Sequence, residues 1–534
     1  MSTYLFQTLL KAACYKKSHE FYKKRHDLEK TQRAKLSSIL AKSKIKEISG
    51  INTWEDFAKH APITQYADWS NKINAAKNDE LGLIESKLIR YQPTSGSSEK
   101  IKFIPYTEDF LAELDSAICP WLFSMFKKHP SIANGTHYWS VSWLPKNQFA
   151  ELSKNINDDS ELLGKAKRWI LSKSQAVPAD VALAATPVDS LFATLCYLVA
   201  DGKLSVISVW SPTFALQLFD LLLEYQDEIA QVLVSGHWGS RAESLARISA
   251  PKNTKRAKLL QSLKGQDAYA LVLVLWPNLA LISAWDTADA APWAEKIKRN
   301  LPAVAFEGKG LWATEGVVTI PVDDQYPLAY LSHFYEFEML NSGKIVAPWQ
   351  LKEGDEVSPI LTTSTGMLRY AMNDCLKVTG FYGDVPCFSF LGRKQSVDMV
   401  GEKMSTDAAR QVIQNVAVKH NLEPVTLLAL ASEKNGQSSY LAIFSSKSKF
   451  NYAHMMDASH ALECALNEHF HYALARDLNQ LQPAQAWIVE DGWKLYQDLA
   501  MANGMIEGNI KPEALKKMPK KIAHSLGFLE MEAV

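Results

Sequence analysis

Through residues 1 to about 90, Leu, Phe and Tyr recur at helical spacing among many Lys and Glu, with few Gly or Pro. This periodicity predicts helices that wrap a larger body. From Leu88 to about Gly392 the pattern changes. Short apolar runs, LSVISVW at 204–210, ALVLVLW at 270–276 and VVTIPV at 317–322, alternate with longer helical segments such as Phe214 to Leu233. Such alternation predicts α/β layering. After Gly392 the pattern becomes compact: a helix at about 405–420, strands near 425–431 and 440–445, a helix near 454–474 and a strand near 484–489. That reads as a separate α+β domain of ordinary size.

The most apolar stretch, Ala268 to Trp285, is interrupted by Pro277 and Asn278, which favours two buried strands or a strand and turn over a membrane span. The short apolar run in the N-terminal MSTYLFQTLLKAACYKK is soon followed by charge and lacks a small-residue cleavage site, so a helix is expected there, not a signal peptide.

A chain of 534 residues exceeds what one hydrophobic core holds, and the pattern divides it into a large domain over 1–392 and a smaller one over 393–534. With 47% hydrophobic and 22% charged residues it has the composition of a folded globular protein. Lys+Arg and Asp+Glu are equal at 58 each, which gives no overall attraction to nucleic acid or anionic lipid. Neither is expected as a partner. The six cysteines are scattered without a CxxC pair, so reduced thiols in the cytoplasm are expected in place of a disulfide framework or zinc site. Nothing in the pattern indicates an oligomeric state.

Three segments can carry chemistry. In KLIRYQPTSGSSEKIKFIP, Thr94, Ser95, Gly96, Ser97 and Ser98 follow an apolar run, with Lys100 and Lys102 beyond. Hydroxyls, a flexible glycine and backbone N–H groups can cradle phosphate oxygens that lysine neutralises. The spacing is not that of a Walker A loop, and an ordinary turn has the same composition. In FEGKGLWATEGVVTIPV, Thr314 and Glu315 stand between a glycine-rich turn and an apolar strand. The carboxylate suits Mg²⁺, or is a solvated loop end. In TSTGMLRYAMNDCLKVTGF, Asp374 lies between two apolar stretches and suits ribose hydroxyls or a turn cap.

Taken in order, these segments resemble the motifs of the adenylate-forming superfamily of acyl-CoA synthetases, peptide-synthetase adenylation domains and luciferases. With LWPNLALISAWDTADAAPWAEKIK, GLWATEGVVTIP, HFYEFE and LKVTGF, the closer resemblance is to the acyl acid amido synthetases, the Gretchen Hagen family known from auxin-responsive plants and from bacteria. The resemblance implies an α/β fold: a large adenylate-forming N-terminal domain of layered sheets and helices, and a smaller α+β C-terminal lid. It implies ATP and Mg²⁺ as cofactors. By position it assigns Thr94 to Ser98 and Lys102 to the ATP phosphates, Thr314 to the α-phosphate and acyl carbonyl, Glu315 to Mg²⁺ and Asp374 to the ribose. Arg393 falls near the hinge, followed by Gly401, Glu402 and Lys403, and Lys511 falls where a lysine reaches the adenylate, with Lys516 and Lys517 as neighbours. Glu99 stands where glycine is common, and Leu311-Trp312 replaces a Tyr-Gly pair.

The implied reaction joins a small-molecule carboxylic acid to an amino acid or other amine through an acyl-adenylate, releasing pyrophosphate and AMP. A thiol acceptor, such as coenzyme A or a carrier protein, and a catalytically silent binding protein are the alternatives. Trp121, Phe123, Trp139, Trp143 and Trp210 belong to an aromatic acyl pocket or to the core.

Overall fold

The computed structural model describes residues 3–48, 50–79, 83–93, 102–141, 143, 165–394, 396–397, 399–400, 402–432, 437–502, 505 and 510–520. The chain forms two compact units, Met1–Leu391 and Gly392–Val534.

The first unit opens with helices α1 (Thr3–Lys23), α2 (Leu28–Lys42), α3 (Trp54–His60) and α4 (Tyr66–Asp79). Their apolar faces, through Leu10, Phe21, Leu36, Phe57 and Trp69, join one core with the central sheet. Polar pins set the register of this contact. Gln32 on α2 is fully buried, donates to the carbonyls of Tyr330 (2.7 Å) and His333 (2.9 Å), and accepts from the Tyr335 N–H (3.0 Å). Arg369 binds Glu336 through Nε (2.8 Å) and Nη2 (3.0 Å) and donates to two carbonyls around α3. Such a buried ion pair is favourable only when additional hydrogen bonds accompany it, and here four of the five guanidinium N–H donors are engaged.

Strands β1 (Leu88–Pro93) and β2 (Phe103–Thr107) pair antiparallel, and Thr107 then caps α5 (Glu108–Lys128) by accepting from the Phe110 N–H at 3.1 Å. Next comes a parallel sheet in the order β3 (Thr136–Trp139), β4 (Leu204–Ser208), β5 (Leu281–Ser283), β6 (Ala305–Glu307). Its crossovers include helices Pro187–Ala200, Pro212–Glu224 and Ala291–Asn300.

The run 270–276 is not the expected strand but the body of helix Ala268–Leu275. Asp267 caps it by accepting from the N–H groups of Tyr269 and Ala270. Ala268, Leu271, Val272 and Leu275 are buried, a helical spacing masked because the outward-facing Leu273 and Val274 are apolar too. The run 317–322 also differs from expectation. It enters a strand only at Val317, then continues extended through isolated bridges to Leu328 and Gln325.

After the two-residue strands β7 (Trp312–Ala313) and β8 (Gly316–Val317), a largely antiparallel sheet follows. It comprises β9 (Phe334–Met339), β10 (Ile345–Val346), β11 (Glu356–Thr362), β12 (Tyr370–Ala371), β13 (Asp374–Tyr382) and β14 (Val385–Arg393). The order is β10-β9-β11-β13-β14, with β12 beside β11.

The second unit adds β15 (Ser396–Val397), β16 (Met404–Ser405), β17 (Glu423–Ala431), β18 (Ser439–Ser445), β19 (Gln485–Val489) and β20 (Leu515–Pro519). The last four form a sheet ordered β19-β18-β17-β20. Helix Thr406–His420 is capped by Ser405, whose side chain accepts from the Ala408 N–H. The helix expected at 454–474 is two, Tyr452–Asn467 and Phe470–Asp477, because His469 is extended. Among the described residues no helix is long and apolar enough to cross a membrane.

Candidate active site

The second motif folds as a β7–β8 hairpin whose turn is Thr314-Glu315. A Cβ at Gly316 would lie 2.7 Å from Leu361 Cδ2 and 2.9 Å from His333 Nε2, so a larger residue there would displace one of these side chains. The Thr314 carbonyl accepts from Tyr106 Oη at 3.0 Å, and Glu315 Oε1 accepts from Tyr370 Oη at 3.2 Å. These two tyrosines orient the turn.

Tyr370 is also the meeting point of residues far apart in the chain. Burial, reinforced by the Glu315 carboxylate and with smaller effects from Tyr66 and Asp374, lifts its phenol well above the ordinary range. It therefore stays a donor at neutral pH. Asp374 begins β13 and is buried. Lys102 Nζ lies over the Tyr66 ring at 5.6 Å, and Tyr66 Oη accepts from the Phe103 N–H at 2.8 Å. Lys102 thus lies at Tyr66 and Glu315 at Tyr370, and the charges of Tyr66 and Asp374 reach Tyr370.

Behind this group is a buried clamp. His333 Nε2 accepts from the Val317 N–H at 3.2 Å, which leaves the proton on Nδ1 to bond Glu113 Oε2 at 2.8 Å. Glu113 also accepts from the Ser364 N–H (3.1 Å) and Ser364 Oγ (2.7 Å), and the Ser364 carbonyl accepts from Thr107 Oγ1 at 2.6 Å. Helix α5, the turn at 314–315 and the loop leading to Asp374 are held by one carboxylate.

Thr94, Ser95, Gly96, Ser97 and Ser98, together with Glu99, Lys100 and Gly401, lie outside the described residues. Arg393 and Lys511 belong to the second unit. Arg393 is exposed at the end of β14, and the Lys511 carbonyl accepts from Tyr496 Oη at 3.3 Å. Of the neighbouring lysines, Lys517 is exposed, whereas Lys516 is buried with Nζ 3.4 Å from Glu513 Oε1. Lys403 has positive φ, and the buried Glu402 accepts from Tyr440 Oη at 2.7 Å.

Among the described residues no three His, Cys, Asp or Glu side chains converge as a metal cage. A single carboxylate such as Glu315 fits Mg²⁺, which takes most of its ligands from phosphates and water. The tyrosines, Glu113 and His333 were not singled out from the sequence. Tyr370 stands within a recognised motif, four residues before Asp374, and His333 opens the HFYEFE segment, though neither is marked there for its role, and Glu113 carries no local signal. Of the five aromatics considered for an acyl pocket, Trp121, Trp139 and Trp210 meet at the ends of the parallel strands, and Trp143 packs beside the outer helices. Phe123 instead packs against Tyr15 and Tyr22 at α1.

Residues 17–306 match the family model described as "GH3 family N-terminal domain", and residues 326–393 match "GH3 family central domain". An indole-3-acetic acid-amido synthetase of Arabidopsis thaliana, GH3.15, is 22% identical over 416 residues, covering 70% of this chain and 69% of its own. A jasmonoyl–L-amino acid synthetase of Nicotiana attenuata is 22% identical over 444 residues, 75% of each chain. The chain also superposes on a solved GH3.15 acyl acid amido synthetase bound to 2,4-DB, with a TM-score of 0.77, 17% identity and coverage of 98% of this chain and 96% of that one.

Proposed function

The chain belongs to the GH3 family, and from that premise we propose that it is an acyl acid amido synthetase that uses ATP and Mg²⁺. The observation that carries this reading is that Lys102 lies at Tyr66 and Glu315 at Tyr370, with the charges of Tyr66 and Asp374 reaching Tyr370.

In the first step a carboxylate oxygen of the acid attacks the α-phosphorus of ATP and pyrophosphate leaves. Asp374 accepts hydrogen bonds from the ribose hydroxyls. Lys102 and the segment Thr94 to Ser98 neutralise and orient the phosphates, and Thr314 contacts the α-phosphate and the acyl carbonyl. Glu315, kept in place by the Tyr370 hydroxyl, would hold Mg²⁺. That ion supplies charge neutralisation on the phosphates.

In the second step the amine nitrogen attacks the acyl carbonyl, AMP leaves and the nitrogen loses a proton. Positioning and electrostatic complementarity supply the rate, and no enzyme nucleophile is required. The unit from Gly392 is assigned the lid role, with Arg393 at its hinge and Lys511 acting in adenylate formation.

The test is pyrophosphate release from ATP and Mg²⁺ across a panel of acids, followed by mass spectrometry of products formed with amino acids or with coenzyme A. Amide and AMP support the proposal. Thioester products move the chain to the thiol-acceptor alternative, and no pyrophosphate with any acid leaves it a binding protein. Asp374→Ala is expected to raise the KM for ATP at least about tenfold, since hydrogen bonds to a charged acceptor contribute about 1.5–3 kcal/mol each.

A further inference from the structure

Away from the motif residues, the first unit holds two buried thiols side by side. Cys14 on α1 and Cys119 on α5 are both 0% exposed. Ser18, one turn after Cys14, ties the two helices together at this level. Its Oγ donates to the carbonyls of Cys14 (2.8 Å) and Cys119 (3.0 Å). The two thiols hydrogen-bond to each other.

A cluster of charges meets one of them. Lys167 Nζ, from helix Lys165–Ser172, lies 3.0 Å from Cys119 Sγ and 2.7 Å from each carboxylate oxygen of Asp115, one turn before Cys119 on α5. Lys17 Nζ on α1 reaches Asp115 Oδ2 at 2.8 Å. Two ammonium groups therefore face one carboxylate, and a thiolate at Cys119 completes the balance. Asp115 Oδ1, 3.5 Å from Sγ, acts against that thiolate, as does burial. The hydrogen bond from Cys14, together with Lys167, outweighs them and holds the Cys119 thiol below its ordinary value, while the same bond and burial push Cys14 upward and keep it the donor.

Structural cysteines in apolar surroundings are inert, whereas a thiolate beside a lysine is the nucleophilic form. Although both sulfurs are covered, the cluster reaches solvent: the Lys167 and Asp115 side chains are each 13% exposed and that of Lys17 is 31%. Hydrogen peroxide is little larger than water and bears no charge. Neither thiol takes part in the proposed acyl transfer.

We propose that Cys119 and Cys14 form a peroxide-sensitive pair that closes to a disulfide between α1 and α5. The Cys119 thiolate attacks one peroxide oxygen, the S–O bond forms, the O–O bond breaks, and the hydroxide released takes the Cys14 proton to become water. The Cys14 sulfur then attacks Cys119, the S–S bond forms, the S–O bond breaks, and the second hydroxide takes a proton from solvent. Two electrons pass from the sulfurs to the peroxide, which leaves as two waters. Intracellular disulfides of this kind are transient and redox-sensing. This one would join α1 covalently to the helix that bears Glu113.

The test uses the full-length protein, reduced, freed of reductant and treated with hydrogen peroxide, then unfolded in iodoacetamide and digested for mass spectrometry. A Cys14–Cys119 cross-linked peptide is expected, reversed by dithiothreitol and formed before the exposed Cys464 is oxidised. Cys14→Ser should stop at the sulfenic acid of Cys119, which dimedone captures. Lys167→Met should slow closure about tenfold, as raising the thiol by one pKa unit does, and Lys167→Arg should restore it. If circular dichroism shows Lys167→Met unfolded, the dimedone adduct of Cys14→Ser decides.

Complete alkylation of Cys14 and Cys119 while Cys464 is oxidised overturns the proposal. So does a Cys119 in folded Cys14→Ser that dimedone does not label after peroxide, or closure as fast in folded Lys167→Met as in the wild type.

Discussion

Replacing Glu113 tests whether one buried carboxylate holds the motif turns together. It accepts three hydrogen bonds, from His333 Nδ1 and from the N–H and Oγ of Ser364, and is 4% exposed. Glu113→Ala removes all three and leaves the His333 and Ser364 N–H groups without an acceptor. Hydrogen bonds to charged groups contribute about 1.5–3 kcal/mol each, but deletions within one network do not sum, so a loss of about 3–5 kcal/mol is expected. That is a large share of the ~5–15 kcal/mol that stabilises a folded domain.

Glu113→Gln provides the contrast. If its amide oxygen takes the place of Oε2, it keeps the two bonds made there, and the Ser364 hydroxyl can rotate to accept from the new NH₂. The expected cost is about 1 kcal/mol. Urea unfolding followed by tryptophan fluorescence measures the difference, and pyrophosphate release reports the turn. The alanine variant should lose both stability and rate, while glutamine recovers most of each. An alanine variant within about 1 kcal/mol of wild type, or a glutamine variant as impaired as alanine, would refute the clamp.

Other expectations concern single groups. Tyr370→Phe removes the hydroxyl 3.2 Å from Glu315 and should slow pyrophosphate release about tenfold, as loss of one oriented hydrogen bond does, with the urea midpoint little changed. His137 is fully buried, and burial lowers its pKa to about 4 from 6.5, so between those values the unfolded chain binds more protons than the folded one. Its contribution is therefore intact above about pH 6.5 and declines to a loss of about 3 kcal/mol near pH 4, and His137→Asn should flatten the acid limb of a stability-against-pH curve. Lys511→Ala should slow adenylate formation in single-turnover assays while leaving binding of a non-hydrolysable ATP analogue intact. A normal Lys511→Ala beside an impaired Lys517→Ala would move the role to Lys517.

Local pattern specified some elements and not others for identifiable reasons. LSVISVW announces β4 because the β-branched Val206, Ile207 and Val209 dominate a short run bounded by turns. The 270–276 run misled because the exposed Leu273 and Val274 hide a helical face. The site divides in the same way. Glu315 and Asp374 could be singled out because each sits in a short segment with its own composition. Glu113 could not, because its partners His333 and Ser364 lie 220 and 251 residues away. Lys309 reads as one more residue of a glycine-rich turn, and only the assembly of α5 with the ends of β3 and β4 surrounds it with indoles.

Gln32 sets an order of events during synthesis. Its acceptor carbonyls and its donor N–H belong to residues 298 to 303 positions downstream. At the ~5–20 residues per second of translation, roughly 15–60 s separate the appearance of Gln32 from that of Tyr335. Throughout that interval the apolar face of α2 has emerged without the sheet that covers it, and the polar side chain at its centre opposes premature burial against another surface. The N-terminal helices are made first and finished late.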